Sequence, residues 1–238
     1  MRIKVLLTKT EKELPIQNQS IVNSFIHRVL GKDNPYHDSK NNYSISSLMG
    51  GKWIKGTDKI SFNKGGFIII SSLDKKFLDD IMLNLYTTPF YSDITVCGIE
   101  FIEEKLYNGW NHFATLSPFL IKEYKSKKEY SFLTLNDENF EIKVKNYLLN
   151  KLIKIDPTLD LTNFDVKIGK RNKNKIKKIW VKNVVNKANQ CQVSVLCNKK
   201  VANILYNIGL GQSTGSGFGT IYKTENHDLY RYDLKNNK

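Results

Sequence analysis

The chain has 238 residues, and 37 Lys and Arg against 23 Asp and Glu give it a formal net charge of +14. This excess predicts a polyanionic partner, and the hydrophobic fraction of 40% excludes a disordered basic tail. Three cysteines without a Cys-x-x-Cys pair exclude a disulfide framework and a cysteine-ligated zinc, so we expect buried or inert thiols. The first residues are too short an apolar stretch for a signal peptide, and no apolar run approaches about 18 residues. These features predict a cytoplasmic protein that does not enter a membrane.

The first half of the chain is predicted as a strand, a helix, a group of short strands, a helix and a strand. Apolar residues alternate over residues 2–9 and then follow helical spacing from Ile21 to Leu30, where Gly31 ends the helix. A polar loop to Asn42 follows. The remaining elements are strands near 43–48, 53–55, 59–62 and 67–71, a helix from the N-cap Asp74 to about Tyr86, and a strand over 93–106. The order βαββαβ is the ferredoxin-like unit, which is also the topology of the RNA-recognition motif.

The second half repeats this order without repeating the sequence. Strands are predicted near 112–121, 130–134, 163–168, 176–185, 190–196 and 218–223, with helices over about 137–154 and 198–208. The sequence therefore predicts an α+β protein of two tandem ferredoxin-like domains, residues 1–110 and 111–238. We expect the active site in the first domain, and a basic hairpin and a glycine-rich loop in the second.

A glycine-rich stretch over residues 209–219 contains five of the 14 glycines. It lacks the Gly-Lys-Ser/Thr of a P-loop, and too little chain follows it for a dinucleotide-binding βαβ unit. Glycine lets backbone amides approach a phosphate closely, so the stretch is either an RNA-backbone cradle or a mobile surface hairpin. The residues expected to contact RNA are Gly209, Gly211, Ser213, Gly215, Gly217 and Gly219.

A basic stretch over residues 167–182 contains no acidic residue. If residues 163–168 and 176–185 pair as a hairpin, its charged tip and face bind RNA phosphates in a salt-dependent way. The alternative is a solvated loop in a lysine-rich chain, although a second basic loop at 122–128 favours RNA binding. The residues expected to bind RNA are Arg171, Lys173, Lys175, Lys177 and Lys178.

Two of the four histidines lie close to the polar loop of the first half. His37 is in the loop, where an imidazole titrates near neutrality, and His27 lies at the edge of the apolar face of the preceding helix, where a structural role is the alternative. With Lys40 and Lys52 they supply the base, the acid and the cation that metal-free RNA cleavage needs. No cluster of His, Asp and Glu has metal-ligand spacing, so two-metal nuclease chemistry is not expected.

The segment Asn207-Ile-Gly-Leu-Gly-Gln-Ser-Thr-Gly-Ser-Gly-Phe-Gly-Thr-Ile-Tyr222 resembles the C-terminal glycine-rich motif of the CRISPR-associated endoribonucleases that process repeat-spacer precursor RNA. These belong to the repeat-associated mysterious protein superfamily, which is built from ferredoxin-like domains. The helix with His27, the residues Tyr36-His37-Asp38 and the stretch Tyr43-Ser-Ile-Ser-Ser-Leu48 resemble its active-site region. Residues 113–118 resemble its central region.

The resemblance implies cleavage within each CRISPR repeat without metal or cofactor, leaving a 2′,3′-cyclic phosphate and a 5′-hydroxyl. His37 matches the usual catalytic histidine. His27 falls on the helix that in some relatives supplies a tyrosine, so base and acid stay unassigned, and the accompanying lysine is Lys40 or Lys52.

The implied partner is CRISPR repeat RNA, bound by a monomer, a homodimer or a subunit of a CRISPR effector complex. One alternative is a non-catalytic RNA-binding subunit of a CRISPR or other ribonucleoprotein complex. The other is a structural protein that holds an acidic partner by its charge.

Overall fold

The structure is a computed structural model that describes residues 1–31, 34–36, 42–126, 129–169, 174–181 and 184–224. The elements of the first half are β1 Arg2–Leu7, β2 Leu14–Pro15, α1 Gln19–Leu30, β3 Tyr43–Ile45, β4 Lys52–Trp53, β5 Lys59–Ser61, β6 Gly66–Ser72, α2 Lys75–Asn84 and β7 Val96–Phe101. Those of the second half are β8 Gly109–Thr115, β9 Lys122–Tyr124, β10 Tyr130–Phe132, α3 Phe140–Ile155, β11 Asp165–Ile168, β12 Lys175–Val181, β13 Val184–Gln190, β14 Gln192–Cys197, α4 Lys199–Ile208 and β15 Ile221–Lys223.

Each half forms a four-stranded antiparallel sheet with the same strand order. The first sheet has the order β3-β6-β1-β7, and the second has the order β11-β14-β8-β15. In both halves, one helix joins the first two strands of the sheet and another joins the last two. This is the ferredoxin-like arrangement, so the predicted fold of two tandem ferredoxin-like units is confirmed. The predicted division at residues 110 and 111 falls within β8 and stays a prediction.

Two hydrophobic cores form where the helices cover the sheets. In the first half, Phe25 of α1 and Phe77 of α2 are buried against strands of the first sheet. In the second half, Val144 of α3 and Leu205 of α4 are buried against the second sheet. The apolar stripes at helical spacing explain why these helices form and which face each one buries.

The N-terminus of the chain joins the first sheet to the second half. The buried guanidinium of Arg2 donates to the carbonyl of Ile221 at 2.6 Å and to the carbonyl of Tyr206, and it lies 3.6 Å from the centre of the Tyr206 ring. The hydroxyl of Ser71 on β6 donates to the carbonyl of Asn207 at 2.8 Å. These charge-assisted and buried hydrogen bonds fix the end of α4, and the glycine-rich segment after it, against the first half.

One predicted hairpin is wrong. The stretch predicted as a strand over 176–185 is two strands, β12 and β13, which pair with each other from Lys175–Gln190 to Val181–Val184. β11 pairs with β14 instead. No Gly or Pro lies between β12 and β13, so the sequence carries no strong signal that one strand ends and the next begins there.

Two other strand predictions are too long or displaced. The strand predicted over 93–106 covers only Val96–Phe101, and the one predicted over 112–121 is Gly109–Thr115. The latter ends before Ser117-Pro118, because proline cannot donate to a strand ladder. No helix in the described part of the chain is long and apolar enough to cross a membrane.

Candidate active site

The glycine-rich segment is packed between the two halves. Gly209, Gly211, Gly217 and Gly219 are buried, whereas Ser213 is exposed. A side chain on Gly217 would overlap the side chain of Gln19 at the start of α1, and a Cβ on Gly215 would lie 2.6 Å from the ring of Tyr43. The mobile surface hairpin is therefore the wrong alternative. Contact between these glycines and RNA stays a prediction, and Ser213 is the exposed member of the set.

Gly219 shows why this segment needs glycine. Its φ is +70°, which favours glycine, and a Cβ there would overlap the carbonyl oxygen of Leu210. The amide of Leu210 donates to the carbonyl of Gly219 at 2.8 Å, so the two ends of the segment touch backbone to backbone. The segment is therefore closed on itself by contacts that tolerate no side chain.

The residues on either side of the predicted histidine loop pack on one aromatic ring. Tyr36 meets the ring of Phe77 edge-on at 4.9 Å, and Tyr43 stacks on it at 4.2 Å. The hydroxyl of Tyr36 donates to Asp80 at 2.6 Å, and burial together with this bond raises the pKa of Tyr36. Both ends of the stretch that contains His37 and Lys40 are thus anchored to α2.

A hydrogen bond joins the start of β3, which follows the predicted histidine loop, to the glycine-rich segment. The hydroxyl of Thr214 donates to the carbonyl of Tyr43 at 2.8 Å. Beside this bond lies a cleft of about 570 Å³ between the two halves, and Asn42, the first described residue after Lys40, lines it. The other lining residues are Tyr147, Asn150, Lys151, Lys154, Ile155, Gly211, Gln212, Ser213 and Thr214.

Helix α3 supplies the lysines of this cleft, which sequence reasoning missed. The ammonium of Lys151 donates to the carbonyls of Gly209 at 3.0 Å and Gly211 at 2.9 Å. Burial lowers the pKa of Lys151 to about 7 and raises the pKa of Tyr147 to about 12. Lys151 lies three residues after Leu148, within the apolar stripe of α3. A lysine at such a position is the sequence feature that could have identified it as a candidate site residue.

The other predicted catalytic residues lie in different places. His27 is exposed in the last turn of α1, and Lys52 is exposed in β4, opposite Ser61 of β5. Neither is among the residues that line the cleft. His37 and Lys40 lie outside the described residues, so their predicted roles stay predictions. Within the described residues, no three His, Cys, Asp or Glu side chains are grouped to hold a metal ion.

One face of the observed basic hairpin, β12–β13, packs on the second half of the chain. Ile179 and Val181 pack on a small cluster that includes Phe218 of the glycine-rich segment. On the other face, Lys178 lies directly opposite Lys187, and like charges in that register are unfavourable without an anion. The predicted RNA-binding residues Lys175, Lys177 and Lys178 are exposed on this hairpin, whereas Arg171 and Lys173 lie outside the described residues.

Comparisons with known proteins agree on one family. Residues 102–222 match the family model described as CRISPR associated protein Cas6, C-terminal. The product of a Cas6-related gene from Pyrococcus furiosus has a TM-score of 0.80 at 21% identity, over 94% of this chain and 98% of that one. A protein described as an RAMP protein binding different RNA substrates has a TM-score of 0.81 at 21% identity, over 94% of this chain and 100% of that one. No curated protein sequence matches the chain.

Proposed function

We propose that this chain, which belongs to the CRISPR-associated Cas6 family, is a metal-independent endoribonuclease that cleaves CRISPR repeat RNA. The family match over residues 102–222 carries the proposal, because it covers the glycine-rich segment and the second ferredoxin-like unit. The products are guide RNAs with 2′,3′-cyclic phosphate and 5′-hydroxyl ends.

The reaction needs an attacking 2′-hydroxyl, a protonated leaving oxygen and a stabilised phosphorane. We assign His37 to proton transfer, because histidine is the side chain that most often acts as a general base or acid. Lys40 or Lys52 supplies the cation. His27 is the second candidate for proton transfer, and its exposed position in α1 leaves it accessible to RNA.

The geometry around the cleft supports this assignment. The stretch that contains His37 and Lys40 starts and ends at tyrosines that pack on Phe77, and Thr214 joins its end to the glycine-rich segment. A preorganised anchor at both ends suits a loop that must hold an imidazole at a phosphate. The net charge of +14 and the exposed lysines of β12 supply a sequence-independent attraction for RNA.

A second candidate function is repeat-RNA binding without cleavage. The similar structure described as an RAMP protein binding different RNA substrates favours it, since the same fold there is described by binding alone. The two functions differ in whether the histidines matter, since a binder needs only the charge and the cleft.

Product analysis separates these functions. The protein is incubated with repeat RNA from its own genome in excess EDTA, and the ends of the products are mapped. We expect cleavage at one position with a cyclic phosphate on the upstream product. Intact RNA in EDTA with cleavage restored by Mg²⁺ overturns the metal-independent mechanism, whereas tight binding with no cleavage under either condition supports the binder.

A further inference from the structure

Lys151 lines the cleft but has no role in the proposed cleavage reaction. Its ammonium carries three N–H donors, and the carbonyls of Gly209 and Gly211 accept two of them. Its side chain also lines the cleft between the halves. Within the described part of the chain, one donor of this charged group therefore remains available at the wall of that cleft.

The cleft is suited to an anion. Its volume of about 570 Å³ lies within the range of about 300–1,000 Å³ that ligand sites occupy. Lys154, one turn after Lys151, lines the same cleft, and so does the exposed Ser213. Its lining residues within the described part of the chain include no carboxylate, so the local field attracts negative charge.

We propose that Lys151 binds a phosphate of the RNA substrate in this cleft while it holds the glycine-rich segment in place. This proposal rests on the proposed function. It assigns one phosphate-binding wall of the site to the second half of the chain. Lys154 adds positive charge to the cleft, and the exposed Ser213 adds a hydroxyl donor.

The pKa of Lys151 predicts a specific pH dependence of RNA affinity. Its pKa of about 7 in the free protein means that part of the population is neutral near neutral pH. The other titratable described residues that line the cleft are Lys154 and Tyr147, which lie on α3 beside Lys151. The residues that line it from other elements, such as Asn42 and Gln212, carry no charge. A bound phosphate favours the ammonium and raises the pKa of Lys151. Binding then takes up a proton, so affinity is highest below pH 7 and falls as the pH rises through it.

The experiment measures the dissociation constant for repeat RNA between pH 6 and pH 8 at fixed salt. A 2′-deoxy substitution at the mapped cut keeps the RNA intact, and unmodified RNA serves if the wild type does not cleave. Wild type is compared with Lys151→Met, Lys151→Arg and the control Lys145→Met, which removes a charge from the same helix but outside the cleft. The unfolding temperature of each variant is measured in parallel.

We expect wild-type affinity to fall by up to about tenfold from pH 6 to pH 8, because each pH unit above the free pKa costs up to tenfold. Lys151→Arg keeps tight binding and loses this part of the pH dependence, since arginine stays protonated. Lys151→Met binds about tenfold more weakly at pH 6, and Lys145→Met keeps the wild-type profile.

Two results overturn the inference. One is a Lys151→Met protein with wild-type affinity at pH 6 and a lowered unfolding temperature, because that residue then only supports the glycine-rich segment. The other is a Lys151→Arg profile that falls with pH as steeply as wild type, which decides the matter even if Lys151→Met does not fold. Either result leaves the proposed nuclease standing if wild type cleaves repeat RNA, and absence of binding by wild type overturns both.

Discussion

Replacing Gly219 with Ala is expected to destabilise the protein by about 2–4 kcal/mol. An L-residue with φ near +70° costs about 1 kcal/mol, and the new Cβ would overlap the carbonyl of Leu210. Moving that carbonyl breaks the 2.8 Å bond from the amide of Leu210 to Gly219, which leaves buried backbone groups unpaired at a cost of about 1–3 kcal/mol. For a chain of this length, the sum lowers the unfolding temperature by roughly 5–15 °C.

The matched control is Gly56→Ala. Gly56 has φ of +84° but open space around its Cβ position, so only the backbone cost of about 1 kcal/mol applies. Thermal unfolding of both variants separates the two terms. Equal decreases in the unfolding temperature of the two variants would refute the packing role of Gly219. A Gly219→Ala protein that has wild-type stability but has lost RNA affinity would also refute it.

Three further predictions follow from the described residues and the sequence. His37→Ala should lower the single-turnover cleavage rate by about 10²-fold or more with little change in affinity, and His27→Ala should lower it less, because His27 does not line the cleft. Lys177→Glu with Lys178→Glu should weaken RNA binding and flatten its dependence on salt, as measured by a salt titration of the dissociation constant. Cys97 is exposed, unlike the buried or inert thiols expected from the sequence, so in the native protein it alone of the three cysteines should react rapidly with Ellman's reagent.

Each of these predictions has a control or a result that would contradict it. Lys75→Glu with Lys199→Glu makes the same change in charge at exposed helical positions, and an equal loss of affinity there would mean that only net charge matters. Burial raises the pKa of Cys197 to about 12 and also raises that of Cys191, so rapid reaction of either thiol would contradict the buried environment. If His27→Ala loses activity only in proportion to its loss of stability, His27 has a structural role and not a catalytic one.

The ferredoxin-like order could be predicted because each helix carries a long apolar stripe. The stripe of α1 and the N-cap of α2, where Asp74 accepts from the amide of Lys76 at 2.9 Å, are local signals that packing then reinforces. The hairpin β12–β13 could not be delimited in this way. Its turn carries no Gly or Pro, and the choice of β14 as the partner of β11 depends on contacts distant in sequence.

The sequence predicted only part of the candidate site, because the rest depends on how distant segments pack together. The glycine-rich segment was visible as composition, but its burial against Gln19 and Tyr43 depends on how the two halves meet. Lys151 was hidden in a helix that otherwise looks like ordinary core, although its place in the apolar stripe marks it as unusual. The residue spacing within one helix or strand is enough to predict that element. A cleft between two units depends on the surfaces of both, and the sequence of either one alone does not predict it.

The central claim is that RNA cleavage proceeds by attack of the neighbouring 2′-hydroxyl. The most direct measurement compares repeat RNA with the same RNA carrying a single 2′-deoxy substitution at the nucleotide before the mapped cut. We expect the substituted RNA to bind with unchanged affinity and to stay uncut at that position in single-turnover assays in EDTA. Cleavage of the deoxy substrate at the same phosphate, with or without Mg²⁺, would contradict the account, because the nucleophile would then be something other than the 2′-hydroxyl.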